Sequence, residues 1–355
     1  MPEIPKPILI QKDELREFVG TLYQKTGVPQ DHANLMADLQ VETDLRGVFS
    51  HGTRAVPGYI EKLLDGKINP TPRFEIVKEA PSTAVIDGDN ALGHVPSAKA
   101  MEMAIEKAKS MGIGAVGVCN AGHFGAAACY GMMAVREKMI GFATTSTAMR
   151  SVVAPGGATP VVGNVALCYA YPSRTEQPVV LDMACGISAW NRIETMRMYN
   201  IHIPMDWMLD INGKPTNDPS KGEMLKPAAG PKGYGLAMAM TALAGPLIGG
   251  MMGCHKDAGP SEHFFIAFNV SSFTDYDDFI REMDRSVRTV KTSKTVDGVD
   301  RVYLPGEIEW ENYEPWSDYG IPLHKDHLSA LAETAEKLGV DVFWDVGGIT
   351  AAGTR

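Results

Sequence analysis

Paired cysteines are missing from this chain. The five cysteines are scattered and odd in number, and no two of them stand in Cys-x-x-Cys spacing. An odd number of scattered cysteines argues against a disulfide framework, and the lack of Cys-x-x-Cys spacing argues against a zinc ribbon. We therefore expect free thiols in a reducing compartment. The cysteines are Cys119, Cys129, Cys168, Cys185 and Cys254.

Positive charge is also in short supply. Lysine and arginine number 33 against 43 aspartates and glutamates, which gives a formal net charge of -10. This balance argues against nucleic acid or an anionic membrane as the main partner. If the protein binds a small anionic substrate, it must gather its cations locally.

Signals for export or membrane insertion are not evident. The opening residues, MPEIPKPILIQKDELREF, carry prolines and acids where a signal peptide would have a basic start and an apolar core. One run without charge, residues 233–254, is rich in alanine, glycine and methionine and is interrupted by Pro246. It predicts a buried helix that ends in a glycine turn rather than a membrane span. We expect a cytoplasmic protein.

Several catalytic signatures are absent or misplaced. No Gly-x-Ser-x-Gly elbow supports a serine hydrolase, and no histidine or cysteine pair has zinc-ligand spacing, so no metal is expected. A literal GxGxxG occupies residues 112–117, where a helix ends and a strand begins. A dinucleotide fingerprint requires the opposite order, strand before helix, so that the pyrophosphate meets helix amides. We therefore reject a Rossmann site.

The pattern of apolar residues predicts an α/β protein of two domains, for which 355 residues suffice. Helical spacing dominates both ends of the chain, and short strands alternate with helices between them. The predicted helices are 15–26, 31–44, 57–64, 96–111, 126–138, 274–291 and 324–337. The predicted strands are 83–87, 114–119, 140–145, 179–182 and a strand-like stretch at 302–307.

The segment Ser50-His51-Gly52 is the strongest candidate for chemistry. Ser50 can hydrogen-bond a ring nitrogen of His51, and Gly52 removes the side chain that would otherwise cover the imidazole. Arg54 and Tyr59 follow, which places an anion anchor and a hydroxyl nearby. The alternative is a buried, satisfied histidine at a helix end.

A second glycine-flanked histidine, His123, lies in Gly-His-Phe-Gly at residues 122–125. It follows a predicted strand and precedes a helix of small residues, and such loops carry the sites of α/β folds. Asp182 ends a predicted buried strand, where it can orient an imidazole, bind a ribose or cap the next helix. Lys232 precedes an apolar helix, where it suits a phosphate or is an ordinary surface lysine.

Taken in order, these motifs resemble the type-2 malate/L-lactate dehydrogenase family, whose members use NAD(P) without a Rossmann fold. The matching motifs spread over most of the chain and keep the family's order. They are DLRGxxSHG at 44–52, DGKINP at 65–70, GHFG at 122–125, TTS at 144–146, APGG at 154–157, LDMA at 181–184, GPKGYGLAM at 230–238 and LPGE at 304–307.

The resemblance implies hydride transfer between NAD(P) and a small 2-hydroxy or 2-oxo acid, with NAD as the expected cofactor and NADP still open. It further implies a homodimer whose site lies near the subunit interface. A non-Rossmann, mixed-sheet nucleotide-binding domain would span residues 76–284. A largely helical substrate lobe would combine residues 1–75 with 285–355.

The resemblance also assigns site residues. Of the two histidines, we favour His51 as the acid/base, oriented by Ser50, with His123 as its rival or as a partner that polarises the substrate. Arg54 would hold the substrate carboxylate. The residues implied to line the cofactor are Ser146, Thr147, Asp182, Met183, Ala184, Lys232, Gly233, Gly306 and Glu307.

The chain departs from the family pattern at two places. Relatives carry an arginine four residues after the motif histidine, where this chain has Ala55, and Arg54 stands one residue earlier. On an α-helix that is a rotation of about 100°. The family's Gly-Thr-Asn-Pro is replaced by residues 163–166, Gly-Asn-Val-Ala. We expect both changes to touch the substrate pocket, which leaves a cyclic imino-acid reductase or a catalytically silent nucleotide-binding relative as alternatives.

Overall fold

The computed structural model describes residues 7–147, 149–198, 201–256 and 259–345. In chain order its strands and helices are β1 Ile8–Ile10, α1 Lys12–Lys25, α2 Gln30–Leu45, α3 Val56–Leu64, β2 Glu75–Glu79, β3 Thr83–Ala91, α4 His94–Met111, β4 Ile113–Ala121, α5 Ala127–Arg136, β5 Met139–Ser146, β6 Arg150–Val153, β7 Pro160–Gly163, β8 Ala166–Tyr171, β9 Val179–Ala184, α6 Trp190–Met198, β10 Met208–Leu209, β11 Pro215–Thr216, β12 Met224–Leu225, α7 Pro231–Leu243, β13 Ser261–Asn269, α8 Tyr276–Lys291, α9 Glu307–Tyr319, β14 Ile321–Leu323 and α10 Lys325–Leu338.

The chain divides into two compact units. The terminal unit combines residues 1–72 with 307–355, and the central unit comprises residues 73–306. The predicted boundary after residue 284 would cut through α8, which lies wholly in the central unit. The roles of the two units, a substrate lobe and a nucleotide-binding domain, remain a prediction.

Helices make up most of the terminal unit. Leu15, Val19 and Leu22 recur at helical spacing on α1 and are fully buried, because they form the face that α1 turns towards its neighbours. The short strands β1 and β14 pair antiparallel and tie the first described residues of the chain to its C-terminal part.

A mixed sheet of seven strands forms the core of the central unit, in the order β2-β3-β4-β13-β5-β8-β9. Strands β3, β4, β5 and β9 all run in one direction, while β2, β13 and β8 run in the other. The carboxyl ends of four strands therefore share one edge of the sheet, which we call the carboxyl edge. The mixed α/β fold predicted from the sequence is confirmed.

A second sheet in the central unit has five short strands in the order β11-β10-β12-β6-β7. An apolar cluster that includes Phe142 of the large sheet and Val152 of the small one fills the space around them. Val165 and Leu225, both fully buried, belong to the same cluster.

Most predicted helices are confirmed within one or two residues at their ends. The order at residues 112–117 is also confirmed, since α4 ends at Met111, with Gly112 as its C-cap, and β4 begins at Ile113. The strand predicted at 83–87 is longer in the structure, because β3 continues to Ala91 beyond an irregularity where the pairing with β4 shifts register between Asp87 and Ala91.

Two predictions were wrong. Residues 302–305 form no strand, and Glu307 begins helix α9, which the sequence analysis missed. On α9, the ring of Trp310 faces the guanidinium of Arg46, with Cζ 4.4 Å from the ring centroid. Trp316 stacks on Phe49 with ring centroids 5.7 Å apart. The uncharged run is a helix, as predicted, but α7 is buried on one face only, and Leu236 is 40% exposed.

Within the described ranges, no helix is both long enough and apolar enough to span a membrane.

Candidate active site

His51 lies in the turn that links α2 to α3 in the terminal unit. Ser50 Oγ is 2.8 Å from His51 Nδ1, so the predicted hydrogen bond between these neighbours is present. Burial lowers the pKa of His51, because water no longer solvates the charged ring. The imidazole is therefore neutral at neutral pH and its ring is oriented.

A buried chain of polar groups holds this turn from behind. Asp44 Oδ2 accepts hydrogen bonds from Thr53 N at 3.0 Å and from Thr53 Oγ1 at 2.5 Å. Thr53 Oγ1 lies 3.0 Å from His327 Nε2 on α10. Because the threonine proton goes to Asp44, the imidazole must donate, and the chain runs from His327 through Thr53 to Asp44.

Both ends of this chain have strongly shifted pKa values. Burial raises the pKa of Asp44 to about 7, although the two bonds from Thr53 oppose the shift. Burial lowers the pKa of His327 to about 4, and the nearby charge of Arg54 contributes to this shift. His327 was not predicted from the sequence, because it is 274 residues away from Thr53 along the chain.

Gly52 also has a role that the sequence did not predict. A Cβ at this position would lie 1.9 Å from Asp44 Oδ1 and 3.0 Å from the carbonyl oxygen of Gln40. The glycine therefore lets the turn approach the buried carboxylate closely.

Arg54 and Ala55 lie on a single 3-10 turn, Thr53–Ala55, just before α3. One residue on a 3-10 helix is a rotation of about 120°, somewhat more than the α-helical value expected from the sequence. Arg54 is half-buried and lies close enough to His327 to affect its pKa. Tyr59 is buried on α3.

His123 lies in the loop between β4 and α5, at the carboxyl edge of the large sheet. Gly125 N donates to His123 Nδ1 at 3.3 Å, so that nitrogen is unprotonated and the other ring nitrogen carries the hydrogen. Gly93 N donates to the carbonyl oxygen of His123 at 3.1 Å, and Gly122 N donates to that of Ala91 at 2.7 Å. The loop is thus tied to the start of α4.

Other candidates meet His123 at the carboxyl edge. Ser146 ends β5 and pairs in register with Glu262 at the start of β13, and Ala121 pairs with Ser261 beside it. Ser146 is fully buried, and its Oγ has no hydrogen-bond partner among the described residues. Thr147 follows directly, with its Oγ1 3.4 Å from the carbonyl oxygen of Met149.

Asp182 caps a helix, but not the one that follows it. Its Oδ2 accepts from Ala128 N at 2.8 Å, in the first turn of α5. This contact draws β9 towards the loop that carries His123. Met183 and Ala184 complete β9, and Ala184 pairs with Ala166 at the carboxyl edge.

Lys232 and Gly233 begin α7. Gly233 is buried, and a Cβ there would lie 2.6 Å from the carbonyl oxygen of Cys185, the residue after β9. Helix α7 therefore starts next to the carboxyl edge, with Lys232 exposed in its first turn. An exposed cation at a helix N-terminus matches the chemistry of a phosphate.

Gly306 is not brought to the carboxyl edge. Val180 N, near the start of β9, donates to the carbonyl oxygen of Pro305 at 3.0 Å, and Gly306 lies against Val180. Glu307 is the first residue of α9 in the terminal unit.

The replaced segment at residues 163–166 has a structural role, and its expected place at the substrate pocket stays a prediction. Asn164 Nδ2 donates to the carbonyl oxygen of Ser188 at 2.9 Å, and its Oδ1 accepts from Gly186 N at 2.9 Å. Val165 is fully buried, and its carbonyl oxygen accepts from Cys185 N at 2.7 Å. This segment braces the loop after β9.

His263 lies next to the loop of His123, which was not predicted from the sequence. His263, fully buried on β13, has Nε2 3.0 Å from the carbonyl oxygen of Gly122 and Nδ1 2.9 Å from Thr145 Oγ1. Close by, Lys256 and Glu262 form an ion pair in which both side chains are buried. Register along β13 was the missing signal, since that strand was not predicted.

The carboxyl edge fits a dinucleotide. It offers a buried serine hydroxyl without a described partner, an exposed lysine in the first turn of a helix, and a carboxylate on β9, two strands away from the serine. Within the described ranges, no group of three histidine, cysteine or acidic side chains could hold a metal ion.

Comparison with known proteins places the chain among dehydrogenases. The model of the malate/L-lactate dehydrogenase family matches residues 10–332. The malate dehydrogenase of Pyrococcus abyssi is 36% identical over 94% of this chain and 96% of its own length. The L-sulfolactate dehydrogenase of Methanocaldococcus jannaschii is 36% identical over 94% of this chain and 98% of its own.

Further relatives agree. The ureidoglycolate dehydrogenase (NAD(+)) of Escherichia coli K12 is 32% identical over 84% of this chain and 87% of its own. The crystal structure of malate dehydrogenase from Entamoeba histolytica superposes with a TM-score of 0.91 at 30% identity, over 96% of this chain and all of that one (100%). The chain belongs to the malate/L-lactate dehydrogenase family.

Proposed function

We propose that His51 is the acid/base of a reversible hydride transfer between NAD(P) and the 2-carbon of a small 2-hydroxy or 2-oxo acid. The chain is a dehydrogenase of hydroxy acids by its family and its relatives. One observation carries the assignment to His51, namely the contact of 2.8 Å between Ser50 Oγ and His51 Nδ1. It fixes the ring in a turn that Asp44 and Thr53 brace from behind.

The chemistry of the substrate determines which proton the acid/base group must take up or release. Oxidation of a 2-hydroxy acid needs a base for the hydroxyl proton, and reduction of a 2-oxo acid needs the same group protonated. A neutral imidazole suits the first direction directly, and the lowered pKa of His51 makes its imidazolium a ready donor in the second. His123 is the alternative donor, or it polarises the substrate carbonyl.

Arg54 would bind the carboxylate of the substrate. A guanidinium that pairs with both carboxylate oxygens fixes which face of the neighbouring carbonyl is presented. In a chain with a net charge of -10, a half-buried arginine three residues after His51 is the cation best placed in sequence for this role.

The residues of the carboxyl edge would hold the cofactor, together with Gly306 and Glu307. We infer that Lys232 and Gly233 bind a phosphate, that Ser146 and Thr147 donate hydroxyl hydrogen bonds, and that the stretch 182–184 lines the site. When bound, NAD(P) supplies the hydride acceptor or donor at C4 of its nicotinamide ring. We propose NAD, in keeping with the name of the Escherichia coli relative.

We further propose that the enzyme is a cytoplasmic homodimer with its site near the subunit interface. Exposed apolar side chains support a second copy as partner. Leu236 on α7 is 40% exposed, and Leu247 and Met251, just beyond it, are 59% and 54% exposed. The five free cysteines support a reducing compartment.

A panel of 2-oxo acids, offered with NADH and then NADPH, tests the proposal. Oxopropanoate, oxobutanedioate, a sulfonated 2-oxo acid and a cyclic imino acid are followed by loss of reduced-cofactor absorbance. We expect turnover of at least one open-chain 2-oxo acid, faster with NADH. Turnover of the cyclic imine alone would replace the substrate class, and cofactor binding without turnover would identify a silent relative.

A further inference from the structure

We infer that His263 is a positioning residue that fixes the loop of His123 against the end of β5. The inference rests on the proposed function only in so far as His123 acts at the cofactor side of the site. His263 touches none of the reacting groups in this account and acts through the loop. The steps that lead to it concern its hydrogen bonds, its ring packing and its state of charge.

The hydrogen bonds of His263 admit one arrangement. The carbonyl oxygen of Gly122 can only accept, so His263 Nε2, 3.0 Å away, must carry the hydrogen. The other ring nitrogen then accepts from Thr145 Oγ1 at 2.9 Å. That hydroxyl is 3.2 Å from a competing acceptor, the carbonyl oxygen of Glu262, and the imidazole contact is the shorter.

This arrangement connects three strands. Thr145 lies next to Ser146 at the end of β5, His263 lies on β13 between β5 and β4, and Gly122 follows β4 and precedes His123. A polar link therefore crosses the sheet from the proposed hydroxyl donors of the cofactor site to the loop of His123. All of its members lie in the central unit.

Ring packing fixes the same loop from within. The ring of Phe124, the residue after His123, stacks on His263 with centroids 4.7 Å apart and planes 6° from parallel. Tyr130 donates its hydroxyl hydrogen to the carbonyl oxygen of Phe124. Gly125 has no room for a side chain, since a Cβ there would lie 2.6 Å from His94 Nε2. The backbone on both sides of His123 is thus fixed.

His263 keeps one state across the working range of pH. Burial lowers its pKa to about 3, and the charges of His94 and Lys256 push in the same direction, against the bond to Gly122. A ring that stays neutral can keep Nε2–H as donor and Nδ1 as acceptor without interruption. His263 is therefore suited to holding the loop and unsuited to proton transfer.

Four variants of the full-length protein test this inference. His263→Phe keeps the stacking on Phe124 and removes both hydrogen bonds, whereas His263→Gln keeps an N–H donor near Gly122. Thr145→Val removes the hydroxyl at equal size. Phe265→Leu is the matched control, because Phe265 is fully buried two residues along β13 and packs on Tyr130 and Phe124, but its side chain makes no hydrogen bond to the loop.

Two readouts are needed, turnover of a 2-oxo acid and the ring-nitrogen NMR signals of histidine in the cofactor-free protein. We expect H263F to lower kcat about tenfold or more, since small misplacements at a reacting centre have large effects. H263Q should recover most of the loss, and F265L should keep kcat despite a lower melting temperature. The His123 ring should show the Nε2–H form in wild type and a mixture in H263F.

Equal loss of kcat in H263F and F265L, with an unchanged His123 ring signal, would overturn the inference. If H263F does not fold, T145V decides the matter, because it should shift the His263 ring towards a mixture of tautomers and lower kcat. A T145V enzyme identical to wild type in both readouts would contradict the inference. If wild type reduces no 2-oxo acid, the proposed function fails, while the NMR comparison still tests the link between His263 and His123.

Discussion

At the scale of single residues, the two glycine-flanked histidines are held by different means. His51 is oriented by its neighbour Ser50 and braced by Asp44 and Thr53, which are local in sequence. His123 is held by Gly125, two residues later, and its loop is held by His263 on β13, which is distant in the chain. Sequence motifs could therefore reveal how His51 is placed, but only the tertiary structure reveals this for His123.

Removal of the His51 imidazole gives the first prediction. His51→Ala should lower kcat for 2-oxo acid reduction roughly 10²–10⁴-fold, because general acid–base catalysis contributes about that much. Ser50→Ala should lower it only about five- to tenfold, the worth of one neutral hydrogen bond. The dissociation constant of NADH, measured by fluorescence titration, should not change. Near-normal kcat in H51A with a large loss in His123→Ala would give the role to His123.

The buried carboxyl of Asp44 gives the second prediction. Its pKa of about 7 lies above the ordinary value of 3.8, so between these values the folded state keeps a proton that the unfolded chain releases. The contribution of Asp44 to stability therefore falls as pH rises from about 4 to about 7. Asp44→Asn keeps an acceptor for Thr53 and should gain in melting temperature, relative to wild type, over that interval.

Asp44→Ala separates charge from hydrogen bonding in the same experiment. It leaves Thr53 N buried without its acceptor, which should lower the free energy of unfolding by about 1–3 kcal/mol at every pH. A difference between D44N and wild type that stays constant from pH 4 to 7 would contradict the raised pKa of Asp44.

At the scale of elements, residues of one strand often fix the ends of a helix elsewhere. Asp182 illustrates this, because the sequence allowed it to cap the next helix and the structure has it cap α5, more than fifty residues earlier. Helices α1 and α10 could be predicted from their own apolar periodicity. Strand β13 and helix α9 could not, since their partners define them more than their own patterns do.

The cap on α5 gives the third prediction. Asp182→Ala should lower the free energy of unfolding by about 1 kcal/mol, a typical value for the loss of a helix cap, and urea denaturation measures it. Asp182→Asn keeps an acceptor and should lose much less. If Asp182 also lines the cofactor site, both variants should weaken NADH binding. Unaltered stability in D182A would show that the contact with Ala128 does not cap the helix.

At the scale of the whole molecule, buried neutral histidines in both units couple stability to pH. His51 and His327 lie in the terminal unit and His263 in the central unit, and burial lowers the pKa of all three. Composition and spacing predicted the class of fold and the family. They could not predict this coupling, because it depends on which histidines the tertiary structure removes from water.

The histidines give the fourth prediction. As pH falls below about 6.5, unfolded histidines take up protons, while folded His327 and His263 resist until about 4 and about 3. The melting temperature of wild type should fall over this interval, although Asp44 opposes the trend. His327→Gln should show a shallower fall than wild type. An equally steep fall in H327Q would contradict a neutral, buried His327.

The proposed homodimer gives the fifth prediction. Leu247→Asp places a charge on the exposed apolar surface next to α7 and should convert the dimer to a monomer, as measured by light scattering. Ile211→Asp is the matched control, since Ile211 is 76% exposed but lies far from this stretch in sequence. A wild-type monomer at micromolar concentration would refute the dimer, and an intact L247D dimer would place its interface elsewhere.

The central claim is a direct hydride transfer between a nicotinamide and the 2-carbon of a hydroxy acid. Its most direct test uses NADH deuterated at C4 in each stereochemical position, with the 2-oxo acid that the enzyme reduces best, and proton NMR of the product. We predict that one of the two deuterated NADH stereoisomers transfers its deuterium to C2 of the 2-hydroxy acid and that the other stereoisomer transfers none. Deuterium lost to water, or absent from C2 with both cofactors, would contradict the account.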